Sequence, residues 1–251
     1  MNYRLQQIRV PPIVEAVLDI DCDMPPAFDL VALEPSAHDA LRHRYPKLRK
    51  QFIQEHRVVA PIDGAPKMTS KQGIQALQFL QNDEKQLVQV RAQGFSFNRL
   101  APYVSLDDYL PEMERTWRLF AGFAAPVQIR LIRLRYINRI LLPLSEGRVD
   151  LDDYLNLGPR LPDEDRLTFA GFLNQHSAVE AGTGNRVNIV LAAQPPEGAS
   201  LPVIFDIETL KSVDGEPSDW SLVNSKIQSL RELKNLVFER TLTDKCLKLF
   251  Q

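Results

Sequence analysis

The sequence predicts an α+β fold built from two similar halves, residues 1–125 and 126–251, packed as one unit. Three observations predict it. Runs alternating apolar and polar residues at period two mark half-buried strands. Two longer runs repeat apolar residues at three and four and mark amphipathic helices. Taken in order, each half reads strand, helix, three strands, long helix. With 44% hydrophobic and 25% charged residues, the chain has a globular balance, not that of a disordered, collagen-like or coiled-coil chain.

In the first half, Pro11-Pro12 precedes a strand. Val14, Ala16, Leu18, Ile20 and Cys22 share one side of it, and Glu15, Val17, Asp19 and Asp21 share the other. Met24-Pro25-Pro26 ends it. A helix capped at Ser36 runs through Leu41 and stops before Pro46. Residues 52–60 form a weaker strand, and 60–73 a loop carrying Pro61, Gly64, Pro66 and Gly73. Residues 74–80 and 86–99 are strands joined by a turn at Asn82-Asp83-Glu84. Within the second of these, Val88 and Val90 give way at Gly94 to Phe95 and Phe97 of opposite parity, which predicts a β-bulge. Ser105 caps a long helix with Leu106, Tyr109, Leu110, Met113, Trp117 and Phe120 on one face, ending near Gly122.

The second half opens with the longest strand, 127–142, whose apolar parity changes near Leu131 and predicts another bulge. A short helix begins at Asp150. Residues 158–165 form a Pro-rich acidic loop. Strands follow at 168–181, 186–194 and 201–210, with turns at 182–185 and 195–198. The last long helix buries Val223, Ile227, Leu230, Leu233 and Val237, and Thr243-Asp244 starts a short one that reaches Phe250. The duplicated order predicts a mainly antiparallel, curved sheet on two long helices. That order resembles the TATA-binding-protein-like and helix-grip folds, and likeness of order carries no function with it.

Composition removes several function classes. Thirty Lys and Arg against 32 Asp and Glu leave a net charge of −2, so no global field favours nucleic acid or a membrane surface. No apolar run suits a signal peptide or a membrane span, which predicts a cytoplasmic protein. Cys22 and Cys246 stand far apart and read as small buried hydrophobes. There is no Walker A sequence, no Gly-x-Gly-x-x-Gly and no Gly-x-Ser-x-Gly. His38 and His43 are five apart, not the four that would place two zinc ligands on one helix face. No cofactor is expected.

Two constellations carry candidate chemistry. Arg133, Arg135 and Arg139 share one strand face, with Arg130, Tyr136 and Asn138 nearby. Arginine suits bidentate recognition of carboxylate or phosphate, so the strip reads as a site for an anionic ligand or partner. The structural reading pairs the same arginines across strands with Glu15, Asp19, Asp21, Asp206 or Glu208. The second constellation is Phe205-Asp206-Ile207-Glu208-Thr209, which matches the first metal-binding motif of DEDD-type exonucleases. Asp206 and Glu208 on one strand face suit a divalent ion, but only one helix's worth of chain follows where that family supplies further carboxylates. Phe95 and Phe97 offer a base-stacking alternative.

Three stretches together resemble a sporadically distributed prokaryotic family of uncharacterised proteins of similar length. They are Pro11-Pro12-Ile13-Val14-Glu15, Arg135-Tyr136-Ile137-Asn138-Arg139 and Phe238-Glu239-Arg240-Thr241-Leu242-Thr243-Asp244. The resemblance implies no activity. It marks Glu15, Arg135, Asn138 and Arg139 as positions matching the family's motifs. The expectation is a non-catalytic binding or interaction protein with a ligand site at Arg133, Arg135, Asn138, Arg139 and Glu15. Single-stranded nucleic-acid binding and metal-dependent hydrolysis at Asp206 and Glu208 are the alternatives, and a homodimer through a sheet edge is compatible with either class.

Overall fold

The computed structural model describes residues 8–59, 67–158, 167 and 170–251, with the backbone alone for 55–59 and 67–72. In chain order the elements are β1 (Ile13–Asp23), α1 (Leu30–Leu41), β2 (Lys47–Val59), β3 (Lys67–Leu80), β4 (Gln86–Arg91), β5 (Gly94–Leu100) and α2 (Leu106–Ala124). Then follow β6 (Gln128–Pro143), β7 (Leu173–Val179), β8 (Arg186–Ala193), β9 (Ser200–Gly215), α3 (Trp220–Thr241) and α4 (Asp244–Leu247). The described strands form one nine-stranded sheet in the order β2-β3-β4-β5-β1-β6-β9-β8-β7. Every neighbouring pair is antiparallel. The fold is thus α+β around a large antiparallel sheet.

Side-chain alternation gives this sheet two unlike faces. On β1, Ala16, Leu18, Ile20 and Cys22 point into a hydrophobic cluster with Phe95, Phe97, Trp117, Phe120 and Ile227. On β6, Ile132, Leu134 and Tyr136 join that cluster, and Ile140 and Leu142 of the same parity enter a second one with Phe205, Ile207, Leu233 and Phe238. One face of β6 therefore feeds both clusters, and the helices lie on that side. Trp117 is fully buried, meets Phe95 edge-on at 5.7 Å, and donates its indole N–H to the Pro217 carbonyl at 3.0 Å. Ser105 caps α2 by accepting from the Asp107 amide, and Asp107 and Asp108 sit in the first turn, where the helix dipole favours acids.

Several expected elements differ. The parity change at Gly94 is a hairpin and not a bulge. Ala92 and Gln93 turn the chain so that Val90 faces Phe95 and Val88 faces Phe97 across β4 and β5. Both pairs reach the same core because a two-residue loop reverses the strand. The first half consequently holds four strands after α1. The hairpin partner of β2 begins at Lys67, so residues 67–73 are strand where a loop is expected, held by ladder pairing to β2; residues 60–66 lie outside the described residues. Helix α1 starts at Leu30 because Asp29 caps it, accepting from the Val31 amide at 3.0 Å, and Ser36 falls inside. The short helix expected from Asp150 is one 3-10 turn, Leu151–Asp153. The expected 158–165 loop lies outside the described residues beyond Gly158, as do residues 168–169 of the following strand, which the described β7 starts at Leu173. The bulge expected near Leu131 is present as a register shift between Ile129 and Leu131 against β9.

Gly94 follows directly from the hairpin. Its φ is 141°, and a Cβ there would lie 2.1 Å from the Ile20 carbonyl oxygen of the neighbouring strand. Only glycine lets the chain pass so close. Gly94→Ala is expected to lower stability by about 3 kcal/mol in urea unfolding. Gly122→Ala, in open space near the end of α2, is expected to raise it by up to about 1 kcal/mol.

Candidate functional site

The face away from the helices carries the arginine strip. Arg133, Arg135 and Arg139 occupy it as expected, because they share the parity opposite to the buried Ile132, Leu134 and Tyr136. Each arginine is engaged by neighbours, those of Arg133 and Arg135 on adjoining strands and those of Arg139 in the turn between β8 and β9. Arg133 reaches Glu208 on β9 at 3.0 Å and Asp19 and Asp21 on β1 at 3.3 and 3.5 Å. Arg135 grips Asp206 through Nε at 3.0 Å and Nη2 at 2.6 Å. Arg139 pairs with Glu197 at 2.6 Å and donates to Gln194 at 3.1 Å. Arg130 lies at the bulge between Asp23 and Asp214.

The pairs extend into rows that cross the sheet. One runs from Arg91 on β4 to Asp21 at 2.7 Å, and through Asp19, Arg133 and Glu208 to Asn188 on β8, which donates to Glu208 at 2.7 Å. Ser96 on β5 donates to Asp19, and Ser177 on β7 donates to Asn188 at 2.7 Å. A second row links Gln78, Gln89, Asn98 and Glu15 by donated amide hydrogen bonds of 3.0, 2.8 and 2.7 Å. The structural reading of the strip therefore describes it. Asp206 in turn holds the Arg135 guanidinium above its ordinary pKa. At the centre, Arg91, Arg133 and Arg135 face Glu15, Asp19, Asp21, Asp206 and Glu208. Acids outnumber bases there, so an incoming anion meets more repulsion than attraction.

The remaining expected residues fall elsewhere. Asn138 does not join the strip. It lies on the helix-covered side, 1% exposed, and donates to the Phe205 carbonyl at 2.9 Å. Its even parity on β6 dictates this placement. Phe95 and Phe97 are fully buried core residues and form no stacking surface. Asp206 and Glu208 share a face, but Arg135 holds Asp206, Arg133 and Asn188 hold the two oxygens of Glu208, and no group of three or more potential metal ligands occurs among the described residues. Burial pushes the Cys22 and Cys246 thiols up to about 12, which leaves neither a thiolate near neutral pH.

A different site opens beside Asn138. A cleft of about 230 Å³ lies between the start of α2, the second half of α3, and β6. Tyr103, Tyr136, Asn138, Arg231, Lys234 and Asn235 line it, and the Pro11–Ile13 stretch and Phe238 complete the walls. The Tyr103 and Tyr136 hydroxyls are 3.0 Å apart, with the rings edge to face at 5.6 Å. Arg231 is clamped by both oxygens of Asp107 at 2.7 and 2.8 Å. The Lys234 Nζ sits 4.2 Å from the Tyr136 ring centroid and has no carboxylate partner among the described residues. Burial, and then the Arg231 charge, lower its pKa to about 7. Burial raises the Tyr136 hydroxyl to about 12 and pushes Tyr103 up as well, so both stay protonated.

Lys234 leaves no trace in the sequence. The buried stripe Val223, Ile227, Leu230 and Leu233 continues at the same spacing to Val237, which packs against the second cluster, so no apolar position is missing from α3. Lys234 lies beside the stripe, and only the approach of Tyr103 and Tyr136 from other elements sets it apart.

Searches against protein-family models and curated proteins return no match. Among the described residues, no helix is long and apolar enough to cross a membrane.

Arg133 separates three carboxylates at half-buried positions. Arg133→Ala is expected to cost about 2 kcal/mol of stability, because Asp19, Asp21 and Glu208 would then face one another without a counter-charge. Arg130→Ala, at an exposed site, is expected to leave the urea midpoint nearly unchanged.

Proposed function

We propose that this chain is a cytosolic ligand-binding protein that takes up a small carboxylate-type anion, and that the anion sits in the cleft against Lys234 and not on the arginine strip. One observation carries the reading. Lys234 is a cation-forming group without an acidic partner among the described residues, in a cleft that no Asp or Glu side chain lines, whereas the strip arginines are all engaged by acids or amides. A desolvated amine beside the Arg231 charge is poorly neutralised, and an anion supplies what it lacks.

A second observation agrees with it. Each stretch that carries the family resemblance contributes to this cleft: Pro11, Pro12 and Ile13 from the first, Tyr136 and Asn138 from the second, Phe238 from the third. These stretches are far apart in sequence and meet here. In the same reading the halves are a duplicated unit of the TATA-binding-protein-like or helix-grip kind. The order β3-β4-β5-β1 is mirrored by β7-β8-β9-β6, and a long helix follows each half's last strand. The cleft then lies where the two long helices approach the central strands.

The pH dependence has a definite sign. Lys234, with a pKa near 7, is half charged at neutral pH and nearly neutral at pH 9. The groups facing it are Arg231 from α3, Asp107 from α2 through Arg231, and the Tyr103 and Tyr136 hydroxyls, all constant in charge over that range. An anion binds the charged form, so affinity falls as pH rises, by roughly tenfold or more between pH 7 and 9. Titration with acetate, followed by amide NMR, is expected to move signals of Tyr136, Asn138 and Asn235 at pH 7. Those shifts weaken at pH 9, vanish in Lys234→Met and persist in Arg135→Ala. Shifts centred on Arg133 and Arg135 would place the anion on the strip and refute this placement.

A further inference from the structure

We infer that Lys234 is a nucleophile that captures a small 2-oxo acid in this cleft as a reversible imine. The inference rests on the proposed anion site, which supplies the carboxylate subsite, and adds a covalent step at the same amine. The geometry meets the demands of that step. The amine must be free, and Lys234 has no ion pair among the described residues. It must be shielded from bulk water, and Lys234 is half-buried, with the Tyr136 ring, Phe238 and Pro12 among the walls of its cleft. A donor must assist the carbonyl oxygen. The Tyr103 and Tyr136 hydroxyls carry two hydrogens and share one bond at 3.0 Å, which leaves one hydrogen free to donate.

The step balances without any other reactant. The Lys234 nitrogen lone pair adds to the ketone carbon and forms the C–N bond, while the carbonyl oxygen takes up a proton. The nitrogen gives up one proton as the carbinolamine forms. The carbinolamine oxygen then takes a second proton and leaves as water, while the nitrogen lone pair closes the C=N bond and the nitrogen sheds its remaining proton, so the two hydrogens of the water come in net from the amine. Hydrolysis reverses both stages. The Tyr103–Tyr136 hydroxyl pair lines the same cleft as Lys234 and supplies the donor for the departing oxygen, and Asn235 is a further polar group of the lining. Arg231 lies in the same wall with both Asp107 oxygens on its guanidinium, so Asp107 holds it in place there.

Desolvation favours the same outcome. An ordinary lysine is about one-thousandth neutral at pH 7.5, whereas an amine with a pKa near 7 is mostly neutral there. Lys234 is therefore available for addition near neutral pH.

The test is incubation of the full chain with pyruvate and cyanoborohydride at pH 7.5, read by intact mass and peptide mapping. One reduced adduct is expected, at Lys234, forming at least tenfold faster than at any other lysine. It is absent in Lys234→Met and in Lys234→Arg, and circular dichroism checks that both variants fold. Adducts spread over surface lysines, or none on folded wild type, would overturn the inference. Lys234→Arg keeps a cation, which separates the two claims. Acetate shifts retained in Lys234→Arg, with no pyruvate adduct on wild type, would leave the anion site and remove the imine. An adduct on wild-type Lys234 with no acetate shifts at all would keep the imine and remove the carboxylate subsite.

Discussion

The alternation of side chains along β6 is the constraint on which the rest depends. This strand lies at the middle of the sheet and pairs with β1 on one side and β9 on the other. Its odd positions send Arg133, Arg135 and Arg139 to the open face, and its even positions send Tyr136, Asn138 and Ile140 to the helices. A slip by one residue would bury three guanidiniums and expose the core. The register is therefore fixed by burial on one face and by ion pairing on the other. The two requirements point the same way at Arg133, which meets Asp19 directly across the ladder and Glu208 on the diagonal.

The two faces consequently hold charge in different ways. On the open face, acids and bases alternate between strands and pair with each other, which orders the surface and leaves a small excess of acids at its centre. On the covered face, polar groups are few and each stands out. Thr209 donates to main-chain carbonyls, Asn138 donates to Phe205, and the Tyr103 hydroxyl meets that of Tyr136. Lys234 departs from that pattern, because its amine lies over a ring face and the charge that acts on it is another cation. An arginine-rich strip attracts attention in a sequence, but the geometry makes a single lysine the less satisfied group.

Much of this was legible in the sequence because burial of one face is a local pattern. The alternation of 14–22 and the repeat of 106–120 correspond to β1 and α2. The cross-strand acids of the arginine strip were legible too, since their parities match. The Gly94 hairpin was not, because a bulge and a two-residue turn shift apolar parity alike, and only the strand alongside distinguishes them. The start of β3 depends on pairing with β2 and not on its own residues, several of which read as loop formers. The cleft was illegible for a related reason. Its walls come from residues near 12, 104, 137 and 234, and no local window contains two of these groups. Asn138 was singled out for its neighbours in sequence, but it works on the opposite face from them.

The central claim is that Lys234 is an uncompensated amine in a ligand cleft. The most direct test is a pH titration of the lysine side chains by NMR, following the Cε and Nζ signals with and without acetate. The account predicts one lysine with a midpoint near 7 that moves upward when acetate is added and that disappears in Lys234→Arg. All lysines titrating in the ordinary range, with none responding to acetate, would contradict it.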